Sequence, residues 1–594
     1  MRLRELKMED NSPRRSRLFR GGLGLAFLTC VVYAHGLGYS FQYDDIHSIV
    51  ENPHIRSLSN FPLFFTDPTF FSGDPKSAMY RPLVLVSYAF NHAISGYGVV
   101  SYHWFNLLVH AGNSLLVFFL LHIFGANTRG AFLGGLLFGL HPVNSEVVNY
   151  ISSRSESVCA LFFLLSFFCY ASGREKGKGD CRWFAVSYIS FFGALLSKGV
   201  GITLIGVLLA YEILYLRKKN MQDLRQIARY QWPFWGGGIV YLAFIRTMVS
   251  KALVEEPVRD SGVQLFTQTK GLVYYLKLLV TPVGLNVEHQ FFLGQGLGEL
   301  AVLLSMGMLV SVIWISVKGN AGSGDWLFWL IWPIIILLPT LIVPLNVLVN
   351  EHRLYLPMVA FAALGGKWLG KRSWGWGALA LILLLCYGAL AHQRTREWRD
   401  RESLWGAALA RSPLMPRPHI FMGDHFKERG AHLQALGHYQ RALEVHPQVL
   451  SGGDQLTIYN NIGATLLAMG RFVEAVDAYQ RALQIDSTYT KSRESLDGLL
   501  ALQSQARDPK AEKLRKQGLN LMILGRLDEA VASLKSSLEL QNDPQTWMGL
   551  ALTYERIEDW EGALRAYEIL KQLAKEGKYT ETAEEKIRSL KDRL

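Results

Sequence analysis

Residues 326–345 read WLFWLIWPIIILLPTLIVPL, with no charged residue among them. A helix needs about 20 apolar residues to cross the hydrocarbon core of a bilayer, and this stretch supplies them without interruption. It sets the fold class: a helix that can cross a membrane. Working outward, similar runs extend over Leu300–Val317 and Trp374–Ala391, and others recur back to residue 21. After Arg394 they cease and charged residues become dense, so a domain boundary falls between 392 and 415.

The apolar runs predict about eleven spans, near 21–38, 103–124, 130–148, 156–172, 183–197, 199–216, 232–249, 300–317, 326–345, 353–370 and 374–391. The expected architecture is all-α. A basic arm (1–20) precedes a polytopic transmembrane helix bundle (21–391), a linker (392–415) and a soluble domain (416–594). Two outer segments interrupt the bundle, 39–102 and 250–299. The second is expected to be partly re-entrant, because Phe266–Val280 is short and polar for a span.

The net charge of +12 is concentrated. It collects in the N-terminal arm (Arg2, Arg4, Lys7, Arg14, Arg15, Arg17, Arg20) and in two short loops. One loop carries Arg174, Lys176, Lys178 and Arg182; the other carries Arg217, Lys218, Lys219, Arg225 and Arg229. Basic clusters between spans are the positive-inside pattern, so the charge points to topology and not to nucleic acid. Both loops and the N-terminus are then cytoplasmic. An odd span count puts the C-terminal domain outside, in the periplasm of a bacterial inner-membrane protein or the lumen of the ER. The basic n-region also fits a signal peptide, but no small-x-small cleavage site follows, so the first span reads as a retained helix. Cys30, Cys159, Cys169 and Cys386 lie in spans and Cys181 in an inner loop, leaving neither a disulfide framework nor zinc spacing.

The soluble domain repeats itself. Gly423, Gly430, Ala435, Tyr439 and Ala442 recur at the same spacing as Gly463, Gly470, Ala475, Tyr479 and Ala482. Gly518, Gly525, Ala530, Leu534 and Ser537 form a third set; Ala551, Glu558, Ala563, Tyr567 and Leu570 a weaker fourth. Small residues let paired helices approach and the aromatic fills the space between them. This is the tetratricopeptide-repeat pattern, with repeats near 416–449, 456–489, 511–543 and 544–577. Stacked repeats offer a groove for an extended peptide. A structural cap or an oligomerisation surface is the plainer reading of the same array.

Chemistry-bearing residues gather on the outer side. Asp44 and Asp45 follow the first span and supply a candidate general base. Arg81 closes the first outer loop, and His103, Asn106 and His110 share one helix face. His141 and Glu146 sit near the outer end of the third span, Arg154 and Glu156 just beyond, Lys198 in a short outer turn, and Glu351, His352 and Arg353 at the start of the tenth. Charge at membrane depth is expensive and marks function, although Arg154 with Glu156 and Glu351 with Arg353 are also readable as structural ion pairs.

In order and type these segments resemble the transmembrane and tetratricopeptide-repeat O-mannosyltransferases, which have a C-type glycosyltransferase fold. The carrying residues are Tyr43-Asp44-Asp45 with Ile49, Asn52 and Pro53; Tyr80-Arg81-Pro82-Leu83; His103, Asn106 and His110; His141-Pro142 with Glu146 and Arg154; Lys198 with Gly201-Ile202-Thr203; and Glu351 through Pro357. The chain departs from the family at Asn144, Gly199 and His352, where a second His, a Glu and an Arg are usual. The resemblance implies a sugar, mannose, carried on a polyprenyl monophosphate and transferred to Ser or Thr hydroxyls of outer-compartment proteins. Asp45 or Asp44 would be the base, with Asp45 favoured. Lys198, Arg353, Arg154 and His352 would hold the donor phosphate, and Arg81, His103, His110, His141, Glu146 and Glu351 would line the cavity. It implies no metal and no cofactor, and an acceptor protein held by the repeats. Two rivals remain: a lipid-linked oligosaccharide ligase or polymerase, which would depend on a late loop residue such as His289, and a non-enzymatic membrane scaffold.

Overall fold

A computed structural model describes residues 12–73, 77–175, 181–216, 224–249, 259–319, 324–372, 374–505, 508–573 and 578–591. Every regular element among them is helical. Most of the basic arm (1–11), Lys176 and Lys178, the run Arg217-Lys218-Lys219 and residues 250–258 lie outside the described residues.

Among the described residues, six helices are long and apolar enough to cross a membrane: Leu18–Gly36, Val99–Ile123, Ile151–Arg174, Gly199–Leu216, Asp325–Ile342 and Trp376–Glu397. Four shorter apolar helices, Thr128–Leu140, Cys181–Leu195, Leu300–Ile315 and Met358–Gly370, accompany them. The expected count of about eleven is therefore not reached by length and composition. The predicted span 130–148 breaks at His141-Pro142, and Ser145–Asn149 is a separate short helix. The predicted span 232–249 belongs to a helix, Leu224–Val249, that carries Arg225, Arg229 and Arg246. The segment expected to be re-entrant is instead a continuous helix, Ser261–Val280. Its buried Gln264 donates to the carbonyl of Thr340 (2.9 Å), which ties it to the helix Gly324–Ile342.

Two of the shorter helices meet along glycines. Gly130-x-x-x-Gly134 faces Gly366-x-x-x-Gly370, and the backbones touch: a Cβ on Gly370 would sit 2.5 Å from Cα of Gly130. One on Gly366 would sit 2.7 Å from Cα of Gly134. Apolar side chains gain little by leaving lipid for protein, so membrane helices associate through close backbone packing of this kind. Here it fixes the helix that ends at His141 against the one that starts after Glu351–Leu354.

The chain divides into two compact units, 1–458 and 459–594. The first contains the apolar helices, a helix Arg401–Arg411, and the first repeat, Pro416–Glu428 with His432–Leu443. Residues 392–415, expected as linker, are largely helical. The helix Trp374–Glu397 runs on, and Arg401–Arg411 buries Leu404, Trp405 and Ala408. The second unit holds most of the remaining repeats, with an additional helix, Thr490–Gln505, between the second and third in sequence.

The repeat spacing has a direct geometric cause. A Cβ on Gly423 would lie 2.5 Å from the Tyr439 ring, and one on Gly463 2.8 Å from the Tyr479 ring. Gly518 is equally close to Leu534, at 2.6 Å. The second glycine of each set has left-handed φ: +74° at Gly430, +75° at Gly470 and +74° at Gly525. That conformation ends a helix and favours glycine. In the fourth repeat Glu558 holds the same place, at φ +65°.

Candidate active site

The loop after the first helix is built around two neighbouring carboxylates with opposite surroundings. Asp45 is 1% exposed. Its Oδ1 accepts from the Ser152 amide (2.7 Å) and hydroxyl (2.6 Å), and its Oδ2 from the Gln42 amide (3.0 Å). Burial pushes its pKa up to about 7 against these hydrogen bonds. Asp44 has its side chain 45% exposed, and its Oδ1 lies 3.4 Å from Nε2 of His47. Partial burial alone would raise its pKa, but the hydrogen bond and charge of His47, then Tyr150 and Arg417, outweigh it and hold the carboxyl below its ordinary value. Asp44 is thus the ionised, accessible carboxylate of the pair.

The residue before it, Tyr43, has φ +50°. A bulky residue in this region is held at a cost on the order of 1–3 kcal/mol and persists where its surroundings over-determine it. Here the Asp44 amide donates to Tyr150 Oη (3.1 Å), and Ser48 Oγ donates to the Asp44 carbonyl (2.6 Å). Asn52 secures the far end of the loop by donating to the carbonyls of Ser48, Phe70 and Phe71.

A second group of charges converges from distant segments. Lys198 Nζ pairs with Glu156, and His352 Nε2 lies 3.8 Å from the same carboxylate. His352 Nδ1 is 2.7 Å from Glu146. Arg81 donates to Ser155 Oγ (3.2 Å), with its guanidinium over the Phe71 ring, and it acts electrostatically on both Glu156 and Lys198. Lys198 and His352 each keep 21% of the side chain exposed, while Glu156 and Glu146 are nearly enclosed. Burial, then the Lys198 charge, push His352 down to about 3, so its ring is neutral. Deeper in, Glu351 accepts from the Asn286 amide and lies 3.2 Å from His289 and 3.6 Å from Arg394.

One short segment, Tyr150-Ile151-Ser152-Ser153-Arg154-Ser155-Glu156, organises both groups. Tyr150 and Ser152 hold the Asp pair, Ser155 holds Arg81, and Glu156 holds Lys198. It forms a tight turn and then the first turn of a helix, so these side chains leave the chain in successive directions. An ionised carboxylate and a mixed-charge cluster that includes Lys198 and Arg81 are thereby fixed to the same piece of backbone.

Several predicted site residues lie elsewhere. Arg154 is fully buried, and its guanidinium donates to Asn106 Oδ1 (2.7 Å), Asn91 Oδ1 (2.7 Å), Ser87 Oγ (3.1 Å) and the Tyr102 carbonyl (2.9 Å). It joins three helices and has no free face for a phosphate. Arg353 turns away from the cluster and donates to the carbonyls of Val347 (2.8 Å) and Leu348 (3.1 Å). Neither anticipated ion pair, Arg154 with Glu156 or Glu351 with Arg353, occurs among the described residues. His103 meets the Tyr39 carbonyl (3.0 Å), His110 meets Tyr355 Oη (2.7 Å), and His141 meets the Leu279 carbonyl (3.0 Å). All three are buried.

Residues 84–252 match the family model described as dolichyl-phosphate-mannose-protein mannosyltransferase, and 415–488 match the tetratricopeptide repeat. Protein O-mannosyl-transferase Tmtc3 of Drosophila melanogaster is 25% identical over 81% of this chain and 60% of its own length. Protein O-mannosyl-transferase TMTC4 of Homo sapiens is 24% identical over 71% of this chain and 66% of its own. Human protein O-mannosyl-transferase TMTC2 is 30% identical over 35% of this chain and 25% of its own. The chain is thus similar over most of its length to proteins named protein O-mannosyl-transferase. It spans 60% of the Drosophila relative and 66% of the human one.

The residues that hold the site in place are weakly marked in the sequence. Tyr150 and Ser152 sit in the run YISSRSE, whose density of small polar residues between two apolar helices is the one local sign of them. Arg394 and Arg417 lie in charge-rich stretches that read as solvated surface, yet Arg394 is 4% exposed and reaches Glu351. His289 packs between Glu351 (3.2 Å) and Tyr274 Oη (2.9 Å), an internal position.

Proposed function

We propose that the protein transfers mannose from a polyprenyl-phosphate-mannose donor to Ser or Thr hydroxyls of proteins on the outer side of the membrane. In this reading Asp44 accepts the hydroxyl proton as the oxygen attacks the anomeric carbon. The bond from that carbon to the phosphate oxygen breaks, and polyprenyl monophosphate leaves with the electron pair. Lys198 and Arg81, with the neutral His352 beside them, neutralise the charge that grows on the phosphate. Preorganised charge of this kind is a large catalytic term. The chain's own carboxylate and cations carry the chemistry, and the reading invokes no metal and no cofactor. The observation that supports it most is the common anchoring of Asp44 and the Lys198–Arg81 cluster on residues 150–156.

The positive-inside pattern supports an outward site, the contact of Tyr43 with Phe421 supports the first repeat on the same side, and the repeats beyond the first would receive the acceptor. The test is transfer in vitro. Purified protein is incubated with dolichyl-phosphate mannose and a Ser/Thr-containing peptide, and mass spectrometry follows the products. A mass increase of one hexose on a hydroxyl side chain supports the reading. Transfer of a preassembled oligosaccharide, or none with any polyprenyl-phosphate sugar, overturns it.

A further inference from the structure

Tyr43 reaches past its own loop. Its half-buried ring lies 5.9 Å from Tyr150, 5.7 Å from Trp405 and 5.2 Å from Phe421, edge-on to the last two. Trp405 and Phe421 stack on each other at 4.1 Å, and Tyr150 stacks on Trp398 at 5.5 Å. Trp405 belongs to the helix Arg401–Arg411 and Phe421 to the first helix of the first repeat. These elements are fastened to the same body by polar contacts. Arg417, one turn before Phe421, pairs with Glu288 (3.4 Å) and Asp454 (3.8 Å). Arg411 donates to the Leu285 carbonyl (2.9 Å), and Asn286 to Ser412 Oγ (2.9 Å).

We infer that Tyr43 is a positioning residue, clamped in its left-handed conformation by Trp405 and Phe421, and that the first tetratricopeptide repeat therefore serves to aim Asp44. The clamp works through the backbone. With φ at Tyr43 fixed, the next residue turns its carboxylate to the open side and the following one turns inward onto Ser152. A strained conformation held by packing relaxes when a wall of its socket is removed. Freed of Phe421, Tyr43 returns toward negative φ and the Asp44 carboxylate swings with it. Small misplacements of a catalytic group lower turnover by as much as about 10²-fold while ground-state binding elsewhere persists. The inference rests on the reading of Asp44 as the base.

The test uses the full-length protein in detergent, with Phe421→Ala and Phe421→Tyr, and two readouts. The first is kcat and KM for dolichyl-phosphate mannose with a Ser/Thr peptide. The second is hydrogen exchange of the amides of residues 44–48, four of which are hydrogen-bonded, to Tyr150, Gln42, Tyr43 and Asp44. Phe421→Ala is expected to lower kcat by about ten-fold or more, leave the donor KM within about two-fold, and speed exchange at 44–48 by about ten-fold. Exchange in the helix Val99–Ile123 stays unchanged, and Phe421→Tyr, which keeps the ring, recovers most of the loss. Unchanged loop exchange, or an acceleration shared equally by Val99–Ile123, overturns the clamp whatever happens to turnover. If the unaltered protein transfers no mannose yet loop exchange still quickens in Phe421→Ala, the clamp stands and the mannosyl-transfer reading fails.

Discussion

Asp45 accepts both the amide and the hydroxyl hydrogen bond of Ser152, a residue 107 positions along the chain. In the proposed reading that pairing occupies Asp45 and leaves Asp44, the more exposed carboxylate, to act as the base. The two assignments predict different pH profiles. A base must be ionised, and the Asp44 pKa is held below its ordinary value. With Asp44 as base, kcat/KM stays flat on acidification through the ordinary carboxylate range and falls only below it. With Asp45 as base, half the activity would be lost near its pKa of about 7. Initial rates between about pH 4.5 and 8 distinguish them, because a limb near 7 falls inside that range and the Asp44 limb lies below it.

Arg154 is predicted to be structural. Replacing it with Met removes four hydrogen bonds and leaves Asn91, Asn106 and Ser87 facing one another without their shared donor. Breaking a buried charged network in this way costs about 3–5 kcal/mol. Arg154→Met is expected to lower the melting temperature sharply and the yield of folded protein with it. A variant that folds normally but binds donor poorly would return Arg154 to the phosphate site.

Lys198→Ala and Arg353→Ala are predicted to differ. Lys198 faces the cluster that includes Arg81 and His352, so its loss should raise the donor KM about ten-fold and lower kcat by about 10²-fold. Arg353 is spent on the carbonyls of Val347 and Leu348, so its loss should change either parameter by less than about three-fold. Steady-state kinetics with varied donor decides the point.

Two truncations separate the first repeat from the rest. Removing residues 471–594 keeps the first repeat and the helix after it, and is expected to retain transfer to a short peptide while transfer to folded proteins drops by about ten-fold or more, the avidity of a lost second contact. Removing 416–594 also deletes Phe421 and Arg417, and is expected to lower even peptide transfer. Equal activity of the two truncations on peptide would remove any role for the first repeat in the site.

The repeats were legible because their spacing encodes a contact within one helix pair: Gly423 is small because Tyr439 lies against it, sixteen positions on. The apolar helices were legible because solvent preference is additive along a run. The role of Arg154 was not, since an arginine at membrane depth reads the same whether it faces a ligand or is enclosed by Asn91 and Asn106, 63 and 48 positions away. Direction within a tight turn was equally hidden. Neighbours in the turn Glu351–Leu354 point about 120° apart, which sends His352 to Glu146 and Arg353 away from it. The setting of Asp44 was least accessible, because Trp405 and Phe421, which pack against the preceding residue, arrive from beyond the C-terminal end of the membrane domain.

The most direct test of the account is the rate of mannose transfer by Asp44→Asn. The substitution keeps size and most hydrogen bonding and removes the negative charge. With dolichyl-phosphate mannose and a Ser/Thr peptide, the purified, folded variant is predicted to lose about 10²–10⁴-fold in kcat while donor binding, measured separately, is retained. A folded Asp44→Asn protein that transfers mannose at the rate of the unaltered chain would contradict it.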